Sequence, residues 1–164
     1  MERVAYHLQI KANSCPHGSD EFDLFGRSAF NRYYYAAYLA VRSMLGSLNE
    51  TWSEMKHAKI PEVLTGEVLK KIRRNRRKAI SLKDVEATEI CRKAEAAAHD
   101  LAKVMKNAYA VRVVADYNLN ITVNADIHGR FQLYEVSITV AHGWPNHARL
   151  CGEKIRRAWS IDID

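Results

Sequence analysis

A chain of 164 residues in which 48% are hydrophobic has enough apolar material for one packed core, which excludes a chain that stays disordered. Seven glycines and three prolines favour long helices over an architecture of strands and turns. The formal net charge of +6 favours polyanions or acidic partners, and the same balance also serves solubility.

Residues 1–18 read as a lead-in that ends in a breaker cluster at Ser14, Pro16 and Gly18. Glu2, Arg3 and Lys11 interrupt the N-terminus, so no signal peptide is expected, and no apolar run is long enough to span a membrane. Cys15, Cys91 and Cys151 are odd in number and form no CxxC, which suits a reducing, cytoplasmic setting. Ser19 or Asp20 caps a helix over about residues 21–47, where Phe30, Tyr34, Ala37, Tyr38, Val41 and Leu45 make one apolar stripe. Residues 49–60 read as a connection, and Pro61 opens the next helix. Val63, Leu64, Val68, Leu69 and Ile72 give that helix a core face, which runs into the sequence KKIRRNRRK.

Asp84 caps a third helix that reaches about residue 114, with a stripe through Ile90, Ala94, Ala97, Leu101, Val104, Ala108 and Val111. Residues 116–130 read as a loop, and residues 131–141 stay open between strand and helix. Gly143 and Pro145 are expected to interrupt or kink the chain, after which Ala148, Cys151, Ile155 and Trp159 carry a helical stripe onward. The pattern predicts an all-α, up-and-down bundle of four to five helices, with one helical domain over residues 19–164 and a variable C-terminal segment.

Two segments carry a family resemblance. Ser28 to Tyr38 reads SAFNRYYYAAY and resembles the Tyr-Tyr-Ala-Ala helix of small prokaryotic HEPN proteins, of the kind paired with minimal nucleotidyltransferases. Arg112 to Tyr117 reads RVVADY and is similar to the Arg-x-x-Ala-Asp-Tyr signature after the long helix of the same group. The likeness covers about residues 20–117, and the remainder only through a final helix. It implies a helical bundle that forms a homodimer or a larger assembly, with RNA or a cognate nucleotidyltransferase as partner. It also implies either a metal-independent endoribonuclease of toxin–antitoxin or antiviral defence systems, or a noncatalytic module that binds a partner protein or nucleotide and supports assembly. Active relatives place a His four to six residues after the Arg, where this chain has Asp116.

Metal-independent RNA cleavage needs a cation for the phosphorane and a base for the 2′-hydroxyl proton. Arg112 fits the first role, Asp116 is the candidate for orientation or proton transfer, and Tyr117 for a phosphate contact. The bland alternative is that Arg112 and Asp116 simply pair and lock the helix end. Arg92 with His99 is the second-choice catalytic pair, on one helix face, and a solvated face is the favoured explanation of it. For RNA binding the candidates are Arg32 and Tyr33, which core packing also explains, and the run Lys70, Lys71, Arg73, Arg74, Arg76, Arg77 and Lys78, seven cations in nine residues. His147 and Cys151 have a metal-ligand spacing, but no second ligand pair matches them and Cys151 lies on the apolar stripe, so no metal is expected, and no nucleotide fingerprint calls for a cofactor.

Overall fold

The computed structural model describes residues 1–126 and 130–161. It is a mostly helical bundle in which α1 (Glu2–Asn13), α2 (Asp20–Leu48), α3 (Ile60–Val63), α4 (Leu69–Ser81), α5 (Val85–Tyr117) and α6 (Ile138–Trp159) accompany a small sheet of β1 (Asn124–Ala125), β2 (Phe131–Leu133) and β3 (Val136–Ser137). The chain forms two compact units, one of residues 1–38 and 107–146, the other of residues 39–106 and 147–164. Among the described residues no helix is long and apolar enough to cross a membrane.

In the first unit the expected lead-in is itself helical. α1 buries only the small Ala5 and Ala12, and the Tyr33 hydroxyl donates to Gln9 on it at 2.7 Å. Ser19 caps α2, its Oγ accepting from the Phe22 N–H at 3.1 Å. The aromatic core is edge-to-face: the Phe131 ring lies 5.8 Å from Phe22 and 5.9 Å from Phe30, at 76° and 83°. The region left open between strand and helix divides into both. The sheet is antiparallel in the order β1-β2-β3, with Leu133 opposite Val136. Tyr134 and Glu135, at φ 50° and 59°, make the two-residue turn between β2 and β3, a left-handed pair that more often contains Asn and Gly.

The expected interruption at Gly143 and Pro145 does not occur, because α6 runs through both residues. Proline inside a helix costs roughly 3 kcal/mol. Burial of Ala141 and Trp144 on the same helix offsets it.

In the second unit Leu45, Ile60, Leu64, Leu69, Ile72 and Leu101 are buried to at least 99%. Pro61 stands at the start of α3, and one π-helical turn (Leu64–Val68) joins α3 to α4, so that the core face continues into the cationic segment. α4 closes on Lys83 at φ 58°, with the Asp84 N–H returning to the Ala79 carbonyl at 2.9 Å. Asp84 then caps α5 by accepting from the Ala87 N–H at 2.9 Å. Buried Asn75 on α4 donates to the Ala158 carbonyl at 3.0 Å and so ties down the end of α6.

Candidate functional site

The last turns of α5 hold Arg112, Asp116 and Tyr117 together. Arg112 Nη2 lies 2.8 Å from Asp116 Oδ2, and the two side chains are 16% and 24% exposed. The same guanidinium donates to the Tyr35 hydroxyl at 3.4 Å and lies over the Tyr35 and Tyr117 rings at 5.8 and 5.3 Å. Asn31 Nδ2 donates to the other Asp116 oxygen, so both carboxylate oxygens have a donor. Burial works against the Arg112 charge, but the Asp116 carboxylate and the Tyr117 and Tyr35 hydroxyls outweigh it and raise the guanidinium pKa. A cleft of about 330 Å³ adjoins Asp116, with Ser28, Asn31 and exposed Arg32 in its wall. No histidine bonds to Arg112 or Asp116 among the described residues.

The three consecutive tyrosines divide by role. Tyr33 is a correction to the sequence reading: it is fully buried, stacked on His142 with ring centroids 5.1 Å apart, and is not available to RNA. Burial, helped by the negative charge of Glu2, pushes its pKa up to about 12. Tyr34 is buried as well, and its pKa is raised first by burial and then by Tyr38. Tyr35 accepts from the Arg112 guanidinium through its hydroxyl.

Beneath that cluster, Arg27 does structural work that the sequence pattern does not reveal. It is 6% exposed and donates to the carbonyls of Val114 and Ala115 in the last turn of α5 and to those of Asn118 and Ile121 just beyond it. Asp23 orients it, Nε to Oδ2 at 2.6 Å, and with its other oxygen accepts from the Val123 N–H.

The second-choice pair is not joined. Arg92 makes two 2.7 Å bonds to Glu89, and these hold the Glu89 carboxyl down at about 2. Exposed His99 instead lies 3.5 Å from Arg73. Seven helical residues also put Arg92 and His99 about 10.5 Å apart along the axis.

The cationic run sits on α4, with Leu69, Ile72 and Ala79 on the buried side. Its members differ in what they contact. Arg73 and Arg76 share Glu95, at 3.5 and 3.3 Å, and Arg76 is half-buried. Lys71 lies over the Trp159 ring at 4.8 Å. Lys70, Arg74 and Arg77 are exposed and pair with no described carboxylate, while Lys78 is exposed and has a contact of its own.

Cys151 Sγ lies 3.4 Å from His147 Nε2, and burial raises its thiol pKa, as it does for Cys91. Among the described residues no three His, Cys, Asp or Glu side chains gather into a metal site. Comparison with known proteins finds no match to this chain among protein-family models, curated proteins or solved structures.

Proposed function

We propose that the protein binds RNA through the cationic face of α4, as a noncatalytic HEPN-like helical module of the cytoplasm. The observation that carries this reading is the exposed set Lys70, Arg74 and Arg77, held on a helix whose other side is packed and left without described carboxylate partners. Ammonium and guanidinium groups in that state meet phosphate with no ion pair to break first. Three free, buried thiols suit a reducing compartment. By resemblance, the same reading includes a homodimer or larger assembly and a partner such as a nucleotidyltransferase. Light scattering that returns a monomer at micromolar concentration would count against the assembly.

The test is a salt series of RNA-binding isotherms by fluorescence anisotropy. Each phosphate contact to a single strand contributes about −0.7 to the slope of log K against log salt. Replacing Lys70, Arg74 and Arg77 with Gln is expected to flatten that slope by about 2 while leaving the melting curve in place. An unchanged slope removes α4 from the interface.

The second reading is a metal-independent endoribonuclease effector of toxin–antitoxin or antiviral defence, favoured by the cleft that joins Asp116, Asn31 and Arg32. Arg112 and Asn31 already donate to the two Asp116 oxygens, so a 2′-hydroxyl would have to compete with both donors for the carboxylate. RNA cleavage that persists with a chelator present and disappears in Arg112→Ala would favour this second reading.

A further inference from the structure

A groove of about 530 Å³ in the second unit brings Trp52 and Trp159 together with the cationic side chains Lys70, Lys71 and Arg74. The two indoles meet edge to face, centroids 5.8 Å apart at 68°, and both are half-buried. Each is placed by its own anchor. Asn49 caps the short turn that carries Trp52, accepting from the Thr51 N–H at 3.0 Å and the Thr51 hydroxyl at 2.8 Å. Asn75 holds the Ala158 carbonyl beside Trp159. The cation of Lys71 over Trp159 marks an indole face that is open to an exposed, movable group. Aromatic faces beside several cations, in a recess sized for a small ligand, match a ligand that is flat and aromatic at one end and anionic at the other.

We infer that this groove seats an unpaired nucleobase against the Trp52–Trp159 corner, with the adjoining phosphate on Lys70, Lys71 and Arg74. The inference rests on the reading of α4 as a phosphate-binding face and adds the substrate class: single-stranded rather than duplex RNA. In a duplex every base is stacked on its neighbours and cannot enter a recess, whereas an unstacked base can. Lys71 leaves the indole face when the base arrives and turns to the phosphate. A free nucleotide has the same chemistry, so the experiment separates the two sources.

Tryptophan emission is titrated with three probes: adenosine monophosphate, a single-stranded oligoadenylate, and the same oligonucleotide annealed to its complement. Trp144 is 5% exposed and belongs to the other unit, so it supplies a steady background. The single strand is expected to quench, and to bind more tightly than the duplex. Trp52→Leu is expected to weaken it roughly 5- to 150-fold, the equivalent of one lost base stack. Trp52→Phe, which keeps an aromatic face, is expected to recover most of that loss. Single-strand binding that is equal in Trp52→Leu and wild type, at equal thermal stability, overturns the groove and leaves the reading of α4 in place. Duplex binding as tight as the single strand overturns it too. Quenching by adenosine monophosphate without oligonucleotide binding refutes the RNA reading but supports the groove as a nucleotide site. Quenching by none of the three overturns the groove, and no anisotropy change with any of them overturns the reading of α4 as well.

Discussion

Arg112→Ala separates a structural clamp from a reacting group. The pair with Asp116 is 2.8 Å long and its side chains are 16% and 24% exposed, so it lies between two limits. Exposed pairs contribute about 0–1 kcal/mol, and breaking a buried pair costs roughly 3–5 kcal/mol. The intermediate exposure puts the loss at about 1–3 kcal/mol. Two features keep it above the exposed limit: the guanidinium also contacts Tyr35 and Tyr117, and Asp116 would retain only Asn31. For a chain of this length each kcal/mol moves the melting temperature by about 2–4 °C, so a fall of roughly 2–12 °C is expected in a thermal melt followed by circular dichroism. Asp116→Asn keeps the shape and an acceptor for Asn31 but loses the charge, and a smaller fall is expected. RNA affinity at fixed salt should stay within about twofold in both variants, because the phosphate contacts are assigned to α4. An unchanged melt together with lost RNA binding or lost cleavage in Arg112→Ala would refute this reasoning and make Arg112 a reacting group.

Arg27→Met removes the donor to four carbonyls in the last turn of α5 and the segment after it, and leaves the Asp23 carboxylate without its guanidinium. A loss of about 3–5 kcal/mol is expected in urea unfolding, and a loss under about 1 kcal/mol would show that water replaces those bonds. Tyr33 and Tyr34 both have raised pKa values because burial disfavours the phenolate. In the window between the ordinary value near 10 and about 12 for Tyr33, the folded state holds protons that the unfolded state has released. Their contribution is therefore complete below pH 10 and is lost as pH rises through that window. A melting temperature that falls less from pH 9 to 12 in Tyr33→Phe than in wild type would assign part of the alkaline transition to Tyr33, the rest belonging to Tyr34; equal falls would clear Tyr33 of that role.

Most of the helical frame is legible because large apolar residues recur at helical spacing and the caps are the usual ones. Asp84 before α5 and Pro61 at the start of α3 act as their types predict. α1 escapes the same reading because it buries two alanines and exposes Val4, Tyr6 and Ile10, so its larger apolar residues mark no core stripe. The β2–β3 turn is hidden for a different reason. Tyr134 and Glu135 adopt left-handed backbone without an Asn or Gly to announce it, and the β-branched residues around them were compatible with either element. Pro145 shows the limit of a local rule: its missing N–H acts at one position, while burial of the neighbouring side chains acts along the whole helix.

Charge along the chain locates a cationic segment but does not sort its members. Which of the seven cations on α4 can meet phosphate depends on Glu95, which lies 19 residues from Arg76 and takes both Arg73 and Arg76. The i,i+4 spacing of Arg112 and Asp116 makes their contact readable, yet Asn31, 85 residues from Asp116, is what engages the second carboxylate oxygen. Trp52 carries no signal in its connection, and Trp159 looks like the last member of a core stripe. They become a candidate base platform only because Asn49 fixes one and Asn75 the other. Asn75 also explains a polar residue in the middle of a cationic run. Its side chain is buried against the end of α6, so it splits the run at the buried side of α4 and leaves Lys70, Arg74 and Arg77 on the solvent side. Asn75→Ala should therefore loosen Trp159 as well as α4, which couples the fold of the second unit to the proposed recognition of a base.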